Sequence, residues 1–428
     1  MIFNYLNKNN FLNFIIFFIP ISFLFGRVFV ELTFIISSIF FFSNIKNFKI
    51  INIKKNIIII ALFFYFLFVL LSTINNIHIL AKATDQNLLL KSFINFRFII
   101  YILSIWMILE EIKFNKNYFW LLLFFFSFFI LDGLFQFITG KNFFGNNIPA
   151  TGRISGLFDD ENILGSYIQK ISPIIFTLSL LIFDIDKKYK ILLTFFITSS
   201  ILLLILSAER APILLIFLYF TLSILVLNNL RKCFMLASLF VGIIIIFFLV
   251  FNIGKNLDTI KNRYNPSSDY NVIQENNFKS FILKKIPKDY IGHALIVREM
   301  IKDNLILGKG LKSFRVMCRG KLGNFYPVEN GVCSTHPHNY YLQSLSAAGI
   351  LGFVSLFVIF IYFLKKNIDI FIKRNDFPLP YISIIIAMFM YFWPLITSGN
   401  FFSNMIASFN CYGLALFLYI NNKQINKK

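Results

Sequence analysis

The sequence predicts an all-α polytopic membrane protein, with about twelve spanning helices and one large polar loop on the non-cytoplasmic side. Two compositional observations and one pattern carry this. Hydrophobic residues make up 57% of the 428 residues and charged ones only 14%, too few to coat a soluble domain of this length. The mean hydropathy is +0.73. Apolar runs recur along most of the chain, many close to the roughly 20 residues that a helix needs to cross a hydrocarbon layer.

The expected spans lie at 11–25, 28–44, 57–74, 93–109, 118–139, 162–183, 190–207, 211–228, 234–252, 339–364, 379–397 and 401–420. The first, Phe11–Phe25, follows a single Lys8 and has no small-residue cleavage site after it. It therefore reads as a spanning helix rather than a removed signal peptide. Lys and Arg bias in the short loops orients the set. With the N-terminus inside, the inside segments carry Lys8, Lys46, Lys49, Lys54, Lys55, Lys113, Lys116, Lys187, Lys188, Lys190, Arg231, Lys232, Lys365, Lys366, Lys373, Arg374, Lys423, Lys427 and Lys428, 19 in all. The short outside segments carry six: Arg27, Lys82, Lys91, Lys141, Arg153 and Arg210. This pattern expects an inner-membrane protein with both termini cytoplasmic. The net charge of +21 is therefore placed to meet lipid head groups, and it argues for a bilayer and against nucleic acid as partner.

Residues 1–252 hold the first nine spans, 253–338 the outside loop and 339–428 the last three spans. The loop carries 14 basic and seven acidic residues (Asp258, Asp269, Glu275, Asp289, Glu299, Asp303, Glu329). Long loops translocate regardless of charge, so this excess bears on binding and not on topology. Within the loop, Ala294, Val297, Ile301 and Leu305 recur at helical spacing. They predict an amphipathic helix over His293–Leu307, lying on the membrane surface or over a cavity. Cys233 and Cys411 fall near or within helices and read as buried thiols, whereas Cys318 and Cys333 share the loop, 15 residues apart. On an oxidising side they can close a disulfide, worth about 3 kcal/mol in the chain-entropy model; two free thiols are the other reading.

Four stretches can carry chemistry. Ser334–Gln343 places His336, His338 and Asn339 where the loop meets the tenth span. A neutral imidazole there can take a proton from a hydroxyl, and Asn339 can hold a ring or a sugar hydroxyl; the plainer reading is an interfacial histidine bonded to backbone. Arg210, in Ser207–Pro212, sits between two long apolar runs, where a charge needs a partner. That partner is either Glu209 or an anionic ligand such as a lipid-linked pyrophosphate. In Thr151–Asn162, Asp159, Asp160 or Asn162 can cap the following helix. Alternatively, Asp159, Asp160 and Glu161 can bind a divalent cation, or Arg153 a phosphate. Arg298, followed by Gly308-Lys309-Gly310, is either a solvated charge or a further ligand to an anion. Asp184 and Asp186 read as a solvated inside loop.

These segments resemble the O-antigen ligase and O-antigen polymerase family of membrane proteins. Arg153-Ile154-Ser155-Gly156-Leu157-Phe158 with Asn162 matches its R-x-S-G-x-F run, although Glu161 stands where the family often has proline. Ser207-Ala208-Glu209-Arg210-Ala211 is similar to its S-x-R-small pattern, with one residue more between Ser and Arg. Arg298 with Gly308 and Gly310 looks like its Arg-then-G-x-G pattern. His338-Asn339, Leu342-Gln343 and Gly349-Ile350-Leu351-Gly352 match H-N-x-x-L-Q followed by G-I-x-G. The resemblance implies a GT-C-like membrane glycosyltransferase with a large periplasmic loop. Such an enzyme takes a glycan from undecaprenyl pyrophosphate without nucleotide sugar, cofactor or metal. The acceptor is lipid A–core in ligases, another lipid-linked glycan in polymerases and a protein hydroxyl in related oligosaccharyltransferases. Carried over, His338 is the base, Arg210 and Arg298 are the pyrophosphate ligands, Arg153 and Asn339 support them, and His336 is a second candidate base. A transporter or flippase is the reading from another class, with Arg97, Asp132 and Lys170 as its few charged candidates within spans.

Overall fold

A computed structural model describes residues 8–47, 56–83, 87–264, 288–318, 333–373, 376–395 and 399–425. Lys49, Lys54, Lys55, Arg374, Lys427 and Lys428, used above to orient the spans, lie outside the described residues, as do Asp269, Glu275 and Glu329 of the loop. Among the described residues every extended element is a helix. In chain order they are α1 (Lys8–Ser22), α2 (Arg27–Asn44), α3 (Ile57–Asn75), α4 (Ile77–Ala83), α5 (Leu88–Ile94), α6 (Arg97–Glu111), α7 (Lys116–Thr139), α8 (Leu164–Ile182) and α9 (Lys187–Leu206). There follow α10 (Arg210–Val226), α11 (Arg231–Val250), α12 (Leu257–Tyr264), α13 (Lys288–Lys302), α14 (Ser313–Cys318), α15 (Tyr340–Ile372), α16 (Leu379–Tyr391) and α17 (Asn404–Ile425).

Nine helical segments among the described residues are long and apolar enough to cross a membrane, three fewer than the sequence suggests. Helices occupy the other three expected places, but α10 and α16 are shorter, with 17 and 13 residues. The third, α17, is diluted by Asn404, Asn410, Asn421 and Asn422. Length and composition thus establish a multi-pass membrane protein. Its lipid-facing surface is visible on α11, where Leu239, Phe240, Ile243 and Ile246 are exposed in a way that a water-soluble surface does not tolerate.

Helix starts are set by short polar side chains. The side-chain oxygens of Asn56, Asn115, Asp186 and Asn339 accept from N–H groups in the first turns of α3, α7, α9 and α15. These donors have no partner within the helix, and in lipid none is supplied by water. The interior is closed by aromatic packing. Phe23 stacks on Phe409 with ring centroids 4.0 Å apart, and Phe34 on Tyr101 at 3.8 Å. The closest pairings run α3 along α15, α6 along α17, α9 along α11 and α8 along α16.

The loop elements form a layer at one end of the bundle. A satellite apolar cluster joins α4, α5, α13 and α14 through Leu80, Leu88, Ile296, Val297, Met300 and Phe314. The expected amphipathic helix is therefore present, but it packs on protein and ends at Lys302, five residues early. The expected apolar position Leu305 is 54% exposed, in a turn where Asn304 Oδ1 accepts from Leu307 N–H.

One backbone crossing locks this layer to the bundle. Within α15, Gly349 has φ 60° and ψ −155°, a break that releases carbonyls and N–H groups from the helix ladder. The chain after α13 takes them up. Lys309 N–H donates to Ser346 C=O (2.9 Å), Gly310 N–H to Ala347 C=O (3.0 Å), and Ile350 N–H to Leu305 C=O (2.8 Å). A Cβ at Gly349 would lie 2.3 Å from Ile306 O, and one at Gly308 would lie 2.5 Å from Gly349 N, so side chains are excluded on both strands of the crossing. Gly308→Ala and Gly349→Ala should each cost about 2–4 kcal/mol, by adding a clash with backbone to a left-handed penalty. Gly242→Ala, in open space on α11, should be neutral or slightly stabilising. Thermal unfolding of the purified protein checks this; equal melting temperatures for Gly349→Ala and Gly242→Ala would show that the crossing contributes nothing.

Candidate functional site

Three guanidinium groups gather at the loop end of the bundle. Arg210 opens α10, Arg263 stands near the end of α12, and Arg153 lies in the segment before α8. Arg210 Nε–H donates to Arg263 C=O (2.6 Å), while Arg263 Nε–H donates to Ala208 C=O (2.9 Å). The two elements are thus cross-braced by arginine side chains on backbone carbonyls. Burial, then the charges of Arg153 and Arg210, pull the pKa of Arg263 below its ordinary value. Arg153 adds an Nε that is buried without a hydrogen-bond partner among the described residues. Three like charges thus lie in one region, with the Arg153 Nε donor unused among the described residues.

Glu209 is not the counter-ion that its place beside Arg210 suggests. Its carboxylate accepts from Gly165 N–H (2.6 Å), Ser166 N–H (3.2 Å) and Ser166 Oγ–H (2.8 Å), and so caps α8. Burial raises its pKa, and these bonds and the Arg153 charge pull it back down. Two of the three expected caps of α8 have other partners, and no cap bond from the third, Asp160, is seen among the described residues. Asp159 Oδ1 accepts from Asn146 (2.6 Å), and Asn162 Oδ1 accepts from Thr151 Oγ–H (2.8 Å). Glu161 pairs with Arg27 at 3.3 Å, so Asp159 and Glu161 serve different partners.

Beside α15 three imidazoles pack together. The His336 and His338 rings are 4.1 Å apart between centroids, and His293, on α13, stacks on His338 at 5.4 Å. His338 Nε2 is 3.1 Å from Ser334 Oγ, and His336 Nδ1 is 2.9 Å from Thr335 Oγ1. His336 Nε2 is buried with no hydrogen-bond partner among the described residues. Burial, followed by His338 and His293, lowers the His336 pKa to about 3, so this ring is neutral at pH 7. His338 itself has φ 52°, a backbone setting that a non-glycine residue adopts only under constraint. Tyr290 connects the two groups. Its ring centroid is 6.4 Å from that of His338, and its phenol acts electrostatically on Arg263.

The remaining expected residues divide. Asn339 is committed to structure: Oδ1 accepts from Tyr341 and Leu342 N–H, and Nδ2 donates to Pro394 C=O (2.8 Å). Arg298 is exposed on α13, five residues beyond His293 or roughly 7.5 Å along the helix axis, and on another face from the buried His293. Cys318 and Cys333 are joined, with Cα atoms 5.5 Å apart. The sequence reading passed over Arg263, His293 and Tyr290. His293 alone left a trace, as the first residue of the expected amphipathic helix.

A lipid-facing helical bundle that gathers guanidinium and imidazole groups at one end defines a multi-pass membrane protein. Residues 193–357 match the family model described as O-antigen ligase, a family of glycosyltransferase-like membrane enzymes to which this part of the chain is similar. The matched segment contains Arg210, Arg263, Arg298 and the three clustered histidines; Arg153 precedes it. No curated protein matches the chain.

The half-buried, neutral His336 has a consequence for stability. Between pH 6.5 and about 3 the unfolded chain binds a proton at this position that the folded protein does not. Its contribution is therefore fully present above pH 6.5 and is lost as pH falls through that window. His336→Asn should melt with a shallower acid dependence than wild type between pH 6.5 and 4; parallel curves would mean that the ring takes up protons freely in the folded state.

Proposed function

We propose that this protein transfers a glycan from undecaprenyl pyrophosphate to an acceptor hydroxyl, as an O-antigen ligase with lipid A–core as acceptor, at the periplasmic face of the bacterial inner membrane. The observation that carries this reading is the convergence of Arg153, Arg210 and Arg263, with Arg153 Nε buried and unpartnered among the described residues, at the end of the bundle that holds the histidine cluster. The guanidiniums bind the diphosphate and stabilise its charge as the bond from the anomeric carbon to the leaving oxygen breaks. The acceptor oxygen forms the new bond to that carbon and gives its proton to His338. Arg298, exposed on α13, supplies a further donor toward the diphosphate or the first sugar. Asn339 acts through α15, fixing the turn that carries His338, and His336 packs against the base.

The charged residues that a transport reading would use are each engaged within the bundle. Arg97 pairs with Glu31 at 3.1 Å, Asp132 accepts from Phe143 N–H (2.8 Å), and Lys170 bonds Asn410 (3.2 Å) over the Tyr391 ring.

His338→Ala should lower glycan transfer by roughly 10²–10⁴-fold while the protein still inserts in the membrane. His336→Ala should retain most activity. Transfer assayed with purified protein and a lipid-linked donor decides between the rings, and wild-type rates from His338→Ala would remove it as the base. Arg263→Gln should weaken pyrophosphate binding about 10-fold, with Arg263→Lys recovering part of the loss. Calorimetric titration with inorganic pyrophosphate measures this, and unchanged affinity would exclude Arg263 from the anion site. In cells lacking the gene, loss of glycan from lipid A–core with chains accumulating on the carrier marks a ligase. A single attached repeat unit marks a polymerase instead.

A further inference from the structure

A hydroxyl of the protein stands against the ring read above as the base. Ser334 Oγ lies 3.1 Å from His338 Nε2. The short return that brings them together is pinned at both ends. Upstream, Cys333 precedes Ser334 and is joined to Cys318 at the end of α14, with Cα atoms 5.5 Å apart. That helix is fixed in the loop layer by buried Phe314, Val316 and Met317. Downstream, Asn339 follows His338 and is committed on both sides, to the first turn of α15 and to Pro394 C=O. Between the pins, Pro337 fixes one φ and His338 turns back at φ 52°. The ring is clamped from α14 as well. Phe314 packs edge-on against His293 at 5.6 Å, and His293 stacks on His338 at 5.4 Å.

A neutral imidazole has one nitrogen that carries a hydrogen and one that carries a lone pair, and only the second takes up a proton. With Ser334 Oγ–H donating to Nε2, that lone pair points at the serine. A proton coming from an outside hydroxyl then has to pass through Oγ, because the two pins oppose swinging Ser334 aside. A hydroxyl suits this passage, since it can accept one proton while it gives up another. Its position agrees. Cys333 and Thr335 are exposed and Ser334 is half-buried, so a polar acceptor reaches the serine from outside the bundle.

We propose that Ser334 is a further catalytic residue, a relay between the acceptor hydroxyl and His338. As the acceptor oxygen bonds to the anomeric carbon, its proton moves to Ser334 Oγ and the serine's own proton moves to His338 Nε2. The bond from that carbon to the diphosphate oxygen breaks, and its electron pair leaves with the diphosphate. The serine hydroxyl is restored and the imidazole ends protonated. The inference rests on the glycan-transfer reading and names the path of its proton.

The test is transfer by the purified full-length protein with a lipid-linked donor and an acceptor. Ser334→Ala should lower kcat about 10–100-fold, less than loss of the base itself, with the donor KM unchanged. Ser334→Thr keeps the hydroxyl and should recover most of that loss. In mixtures of H2O and D2O the wild-type rate should fall along a bowed curve, because two protons move together, and that of Ser334→Ala along a straight line. A wild-type rate in Ser334→Ala with His338→Ala inactive overturns the relay and leaves the base in place. Wild-type rates in both variants remove the base, and the relay with it. A straight line in wild type, or a loss that Ser334→Thr does not recover, overturns the relay and makes the serine a structural partner of the ring. A serine beside an imidazole can also act as a nucleophile, so the protein is also incubated with donor alone. Its intact mass should stay unchanged, and a glycan carried on Ser334 overturns the relay in favour of a covalent step.

Discussion

The backbone crossing at Gly349 is the constraint on which the site rests. A helix broken inside a membrane protein exposes polar backbone groups that lipid cannot satisfy, so a break is stable only where other backbone supplies the missing partners. The chain between Leu305 and Gly310 supplies them. This contact admits no side chain at Gly308 or Gly349, which gives the two glycine patterns in the sequence a shared physical cause. It also joins the end of α13 to the early part of α15. His293 lies on α13 and His338 in the turn just before α15, and the stack of their rings depends on the crossing holding these elements in register.

The charged end of the bundle follows the same economy of partners. Glu209 and Arg210 are neighbours in sequence but act in opposite directions. The carboxylate turns to the start of α8, and the guanidinium to the carbonyl of Arg263. The acid is thus spent on a helix cap, while its charge still acts on Arg153. Reciprocal arginine–carbonyl bonds then hold Arg210 and Arg263 together despite their repulsion. In the proposed function, such a pre-assembled cluster needs little rearrangement when a diphosphate arrives.

Much of the architecture was legible because lipid imposes one rule on every span, and long apolar runs record it directly. Two of the three spans that fell short depart from the rule visibly: α17 carries asparagines, and α16 stops at Tyr391, ahead of Pro394; α10 is only just short, at 17 residues. Local chemistry was legible less often. The acids at 159–161 sit where caps belong, yet the cap of α8 comes from a residue 44 positions away, and nothing in the local pattern announces it. Asn339 was read as a possible sugar contact, although its sequence position before a helix fits the capping role that it has. Arg263 was one basic residue among 14 in the loop, and only the fold singles it out, by setting α12 against the start of α10. The cysteine spacing and the histidine pair needed no long-range information, and the structure places both as joined or clustered groups.

The break in α15 also sets a height. The helix has 33 residues, on the order of 50 Å, well beyond a hydrocarbon thickness of about 30 Å. The 23 residues after Gly349, from 350 to 372, amount to roughly 35 Å and fill one bilayer. The nine before it, from 340 to 348, rise as much as about 14 Å further and carry the histidine turn at their tip. Arg210, by contrast, begins directly on its apolar helix. Arg210 is thus tied to the mouth of its apolar helix, whereas the histidine turn rides on the segment beyond the break.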